Sequence, residues 1–287
     1  MKDFLKFSPL EQIYNRFDFP IRLLYTQVPV LREFLHYVVG KSFSLYQSNF
    51  RRLDKQYRKI KKRLPHEISG KTVVELGPGS SLSIAVNCLL DGAEKVFMVD
   101  KYPRFSKDVI QKQYQYFKRK KGFDKVKGEV SHLGSGKLRL VKNGVENMKD
   151  VRSQSVDIII SNSVLEHVRK VETTFGEMYR ILNKEGIMYH KVDMRDHYNF
   201  KKPLEFLKYS EDLWENLLTK EGYSYTNRLR KDDYVNLLKK YSFNYEIIDQ
   251  EKIPKKRIKD TRLSKKFQRK RPKDLRAMQC VIIARKQ

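Results

Sequence analysis

The residues that could do chemistry gather in a few short stretches of this 287-residue chain. The first is Glu75-Leu76-Gly77-Pro78-Gly79-Ser80, with Asp100 standing 21 residues after Gly79. Glycines at a strand-to-helix turn let the backbone approach a ligand closely and aim the helix N-terminus at it. An acid just before them can meet a positively charged ligand, and an acid ending the next strand is where a ribose diol is gripped. A dinucleotide fingerprint wants a third small residue where Leu82 stands, and a phosphate-cradling loop wants a Gly-Lys-Ser/Thr ending that is absent. An acid at the turn suits an ammonium and a sulfonium better than a pyrophosphate. The ligand implied is a nucleoside carrying an amino acid.

A second group is histidine-based. His167 follows a carboxylate at a strand end, where it is either a base or a helix cap. His190, Asp193, Asp196 and His197 concentrate polar groups after a later strand. A histidine there can take a proton near neutral pH, with a carboxylate fixing its tautomer. His197 paired with Asp193 or Asp196 is the first candidate base, and His167 the second. His190, Asp193 and His197 could also converge on a divalent ion, but no cysteine assists and the site is read as metal-free. Asn227, Arg228 and Arg230 lie between two helical stretches, where paired guanidiniums would suit a carboxylate or phosphate acceptor. Trp214 is read as core packing.

These residues need a frame to hold them. Residues 72–76, 95–100, 138–141, 156–160 and 186–192 are short, β-branched or apolar runs with the look of buried strands. Helical spacing fills 80–90, 108–118 and 172–182, and two further helices are expected near 211–219 and 231–241. Late strands are expected at 245–248 and 279–284, and a loop over 119–137. Strands alternating with helices predict an α/β, doubly wound, mostly parallel sheet. Residues 1–68 are predicted to be an N-terminal helical extension, and 69–287 the main domain with a basic insertion at about 252–276.

Composition narrows the classes. Two cysteines, Cys88 and Cys280, exclude a disulfide scaffold or a cysteine-rich zinc module. The net charge of +27 is concentrated at the ends: residues 251–287 hold 15 basic residues against 3 acidic ones. Such a surface favours anionic partners, or is a solvated basic face. No export signal is read at residues 1–5, so a cytoplasmic location is expected. The apolar stretch 23–40 carries Gln27, Arg32, Glu33 and His36, too polar to span a bilayer. It reads as an amphipathic helix packed on the domain, with a peripheral membrane contact as the alternative.

The run from about 71 to 192 resembles a class I S-adenosylmethionine-dependent methyltransferase, of the bacterial type 11-like methyltransferase domain family. The resemblance rests on the Glu75–Gly79 turn, on Ser161-Asn162-Ser163-Val164-Leu165-Glu166-His167-Val168, and on Tyr179-Arg180-Ile181-Leu182-Asn183-Lys184-Glu185-Gly186. Residues 190–197 and 225–230 are similar to a subset of bacterial methyltransferases. The resemblance implies a seven-stranded Rossmann-like sheet with S-adenosylmethionine across the ends of strands one, two and four. It further implies that Glu75, Gly77 and Gly79 hold the methionine portion and Asp100 the ribose. Ser161 and Asn162 would line the sulfonium side, and Glu146 is the nearest acid to the adenine.

The acceptor is expected to be a small or sugar-like molecule, an anionic one included. Ser161-Asn162-Ser163-Val164 stands where amine-directed nucleic-acid enzymes carry Asp/Asn-Pro-Pro-Tyr, and there is no Pro-Cys nucleophile. Oxygen methylation is therefore favoured. The alternative is an RNA-directed methyltransferase, or a non-catalytic basic protein that contacts nucleic acid through its lysine-rich ends.

Overall fold

A computed structural model describes residues 28, 50–64, 67–131, 133, 136–197, 199–219 and 225–287. Most of the expected N-terminal extension, including the 23–40 stretch apart from Val28, lies outside the described residues. Seven strands form one sheet: β1 (Thr72–Leu76), β2 (Lys95–Val99), β3 (Leu138–Val141), β4 (Val156–Asn162), β5 (Leu182–Asp193), β6 (Phe243–Lys252) and β7 (Ala277–Lys286). Their spatial order is β3-β2-β1-β4-β5-β7-β6. All pairings from β3 to β5 are parallel, and β7 alone runs against its neighbours β5 and β6.

The central strands are apolar on both faces, as a covered parallel sheet requires. One face is packed by α1 (Phe50–Lys61), α2 (Ser83–Leu90) and α3 (Lys107–Phe117), with Val73, Val96, Ile158 and Ile160 beneath them. The other is packed by α5 (Val171–Ile181) and α6 (Lys231–Lys240) over Val74, Val99, Ile159 and Val192. Between these, α4 (Lys127–Ser131) and a 3-10 turn at Phe123–Lys125 form where a loop is expected from the lysines and glycines. Phe123, Val126 and Val130 supply the apolar contacts that turn this segment inward.

A third cluster lies beyond the sheet and explains the late segments. Trp214, Phe206, Leu207, Phe267, Leu275 and Met278 pack together, joining the π-helical turn Leu213–Leu218 to the basic segment. Trp214 is fully buried and its indole N–H donates to the Thr226 carbonyl at 2.8 Å. The basic 252–276 stretch folds as α7 (Lys256–Lys259), α8 (Lys265–Gln268) and α9 (Pro272–Arg276), with most charges outward and Phe267, Leu275 and the Arg271-paired Asp274 inward. No helix among the described residues is long and apolar enough to cross a membrane.

Candidate functional site

The site is assembled along the carboxyl ends of β1, β2, β4 and β5, where an open α/β sheet offers its crevice. At the end of β1, Gly77 and Gly79 have φ of +63° and +65°, which only glycine adopts without strain. A Cβ on Gly77 would also come within 2.7 Å of the Val164 side chain, so the β1 and β4 exits meet there with no room to spare. Asp100 ties this turn to β2: one carboxylate oxygen accepts from Gly79 N at 2.9 Å, the other from Tyr102 N at 2.8 Å. Gln113 locks the turn from below, accepting from Leu82 N at 2.6 Å and donating to the Ser80 carbonyl at 2.9 Å. That grip holds residues 80–82 out of the helix, so α2 begins at Ser83 and not at Ser80.

Alternation along β1 sends Glu75 to the face covered by α2. Its carboxyl is buried, with Oε2 lacking any hydrogen-bond partner. Burial, and then the neighbouring charge of Asp100, push it up to about 8 despite a hydrogen bond from the Ala85 main chain. A half-satisfied buried carboxyl under a bare-backbone turn fits a ligand that brings positive charge. Glu146 lies in the loop after β3, its carboxylate folded over Gly144 on the same edge of the sheet. Asn162 ends β4 and is partly buried.

Ser161 departs from its expected place on the sulfonium side. It is fully buried, and its hydroxyl lies 2.7 Å from Nδ1 of His190, its in-register partner on β5. Burial drives the His190 imidazole down to about 3, and it is sealed inside the sheet. The pair is a structural cross-link between β4 and β5, and His190 is removed from the candidate bases.

The other histidines converge. His167, in the 3-10 turn Leu165–His167 after β4, meets His197 from the loop after β5 with ring centroids 4.8 Å apart. Nδ1 of His167 donates to the Tyr225 carbonyl at 2.7 Å; burial first, and then His197, lower its basicity to about 4. Burial likewise holds His197 below the ordinary histidine range, opposed by the charge of Asp193. Asp193 does not hydrogen-bond the ring: Oδ1 stands 3.9 Å from Nε2 of His197. Its carboxylate is held by Arg195, at 2.8 Å from Nε and 2.5 Å from Nη2, and by Gln279 at 2.7 Å. Asp196 is buried in the loop, its N–H bound to the Pro203 carbonyl. Glu166, in the same turn as His167, is buried, and its Oε1 accepts the N–H of Asp193 at the end of β5. The signal that could have found it is the acid immediately before His167.

The expected substrate-binding residues are spent on the fold. Arg230 is fully buried, donating to the carbonyls of Met194, Leu275 at 3.0 Å and Ala277 at 2.5 Å; burial lowers its guanidinium to about 10. Arg228 donates to the Phe206 and Tyr209 carbonyls, pairs with Glu211 and lies over the Trp214 and Phe267 rings. Asn227 donates to the carbonyls of Leu165 at 2.7 Å and Val168 at 3.1 Å, fixing the turn that carries His167. Backbone carbonyls left bare by irregular chain consume all three side chains. A cleft of about 520 Å³ is bordered by Lys201, Lys202 and Arg257, by Arg195 already paired with Asp193 and Glu251, and by Glu251 itself, with Phe200 and Ile253 among its apolar walls. Phe200 stacks on His197, with centroids 5.9 Å apart, so the cleft adjoins the histidine pair.

Residues 74–190 match the family described as a methyltransferase domain. Among solved structures, an S-adenosylmethionine-dependent methyltransferase from Mesorhizobium loti is 15% identical, with 80% of this chain and 96% of that one covered, at a TM-score of 0.48. A Listeria monocytogenes chain described only provisionally as such an enzyme is 17% identical, with 80% and 97% covered, at 0.47. No curated protein matches the sequence.

Proposed function

Residues 74–190 match a methyltransferase-domain family, and we propose that the chain is a class I S-adenosylmethionine-dependent methyltransferase that methylates an oxygen of a small, sugar-like or anionic acceptor. S-adenosylmethionine is the cofactor, and when bound it supplies a methyl group made electrophilic by the sulfonium. Glu75 would meet its positive charge, the Gly77–Gly79 backbone its amino-acid portion, and Asp100 its ribose. Glu146 and Asn162 flank the same edge of the sheet.

The observation that carries the oxygen reading is the His167–His197 pair beside the cationic cleft. Burial lowers the basicity of both rings below the ordinary histidine value, which favours the neutral form that can accept a proton. An acceptor hydroxyl lying against them would lose its proton as its oxygen attacks, while Lys202 and Arg257 offset negative charge elsewhere on the acceptor. Asp193, fixed by Arg195 and Gln279, stabilises positive charge developing at His197 from 3.9 Å.

A screen of hydroxylated acceptors, neutral and anionic, with methyl-labelled S-adenosylmethionine tests the reading. The expected product carries one methyl on oxygen, and an anionic acceptor is used with lower KM than its neutral analogue. A product methylated on nitrogen or carbon, or transfer to RNA alone, refutes it.

A further inference from the structure

Glu166, His167 and His197 place one ligating atom each within 4.8 Å of the other two. Glu166 is 2% exposed; Oε1 accepts the Asp193 N–H at 3.2 Å, and Oε2 has no hydrogen-bond partner. The Tyr225 carbonyl can only accept, so Nδ1 of His167 carries the ring proton and Nε2 a lone pair. Nε2 of His197 is likewise buried without a partner. Two buried atoms without a partner, Oε2 of Glu166 and Nε2 of His197, therefore belong to one cluster with the lone pair of His167. A cation between them would satisfy all three groups at once, whereas one proton on Glu166 could answer only one of the two rings.

We propose that Glu166, His167 and His197 hold a divalent transition-metal ion, of the zinc class, at the carboxyl ends of β4 and β5. Two imidazoles and a carboxylate are a borderline-soft set that suits such an ion; magnesium and calcium favour all-oxygen shells. Ligand bonds of about 2.0–2.2 Å require the side chains to close inward from these separations. The outer shell is already built. The Tyr225 carbonyl orients the His167 imidazole through Nδ1, as ligating histidines require. Asp193, 3.9 Å from Nε2 of His197, adds negative charge beside the ion. Three protein ligands leave a position open. This rests on the oxygen-methylation reading and changes one part of it: with both imidazoles ligating, an acceptor hydroxyl in that position would give its proton to solvent water, and the alkoxide oxygen, stabilised by the ion, would take the methyl as the sulfonium becomes a thioether.

The full-length protein, stripped with a chelator and dialysed, is titrated with Zn²⁺ by calorimetry and with Co²⁺ by visible absorption. One equivalent is expected, and Glu166→Gln and His197→Ala should each weaken it by at least about 100-fold, His197→Ala also changing the Co²⁺ spectrum. Circular dichroism confirms that each variant is folded, and Glu166→Gln keeps the shape of the side chain should a histidine variant fail to fold. Absence of a bound equivalent, or binding unchanged in both variants, overturns the site. An N-methylated product with Co²⁺ still bound removes the oxygen reading alone; an O-methylated product without metal binding removes the metal alone.

Discussion

Replacing Glu75 by Gln separates the charge of this carboxyl from its shape. Ionised, Glu75 would attract the ammonium and sulfonium of the cofactor; protonated, it would not. With its pKa raised to about 8 by burial and by Asp100, the side chain is mostly protonated at pH 6, so binding to the ionised form must expel a proton. Affinity for S-adenosylmethionine should then fall by up to about tenfold per pH unit below pH 8 and level off above it, roughly 1.4 kcal/mol per unit. Glu75→Gln should bind more weakly at pH 8 and show no such slope. Calorimetry in two buffers of different ionisation enthalpy counts the proton released. The same group governs the stability of the ligand-free protein. Its folded pKa lies above an unfolded value near 4.5, so the folded chain retains a proton that the unfolded chain gives up. The stability this contributes is full below pH 4.5 and is lost as pH rises to 8, by at most on the order of 5 kcal/mol. Glu75→Gln should flatten that loss in urea titrations. Affinity independent of pH in the wild type, or wild-type affinity in the variant, would refute the reasoning.

Asp100→Ala should cost about 1–3 kcal/mol of S-adenosylmethionine affinity, through lost charge-assisted hydrogen bonds and a loosened Gly79 turn; unchanged calorimetric affinity in the folded variant removes the ribose assignment. Arg230→Met leaves the Met194, Leu275 and Ala277 carbonyls unpartnered and should destabilise the fold by roughly 3 kcal/mol in urea, with acceptor KM unaltered. A stable variant with a raised KM would return Arg230 to the substrate site.

Interactions close in sequence were legible before the fold was known. The strand bounds at 72–76 and 138–141 coincide with β1 and β3, because a short β-branched run stopped by turn residues has few other uses. The glycines at 77 and 79 take positive φ, since the turn from a buried strand toward a helix asks for it. The motif 161–168 identified the cofactor class, and the β4 exit indeed runs against the Gly77 turn through Val164.

What a side chain faces was decided only by the tertiary structure. Arg228 and Arg230 read as ligands because guanidinium chemistry looks the same on paper whether it meets an acceptor or a carbonyl. Whether the loops around them leave carbonyls bare depends on how Met194, Leu275 and Phe206 are brought near, from 36, 45 and 22 residues away. His190 and Ser161 likewise read as site residues until the register of β5 against β4 pairs them inside the sheet. Gln113, which stops α2 from starting at Ser80, carries no local signal, since its partners lie 31 and 33 residues off. Glu166, His167 and His197 become one constellation only where the β4 and β5 exits meet. The sequence determined the strands, the cofactor turn and the residue types available. The packing of distant loops determined which of those residues are consumed by the backbone and which remain unsatisfied, because hydrogen-bond demand in a folded chain is set by neighbours in space.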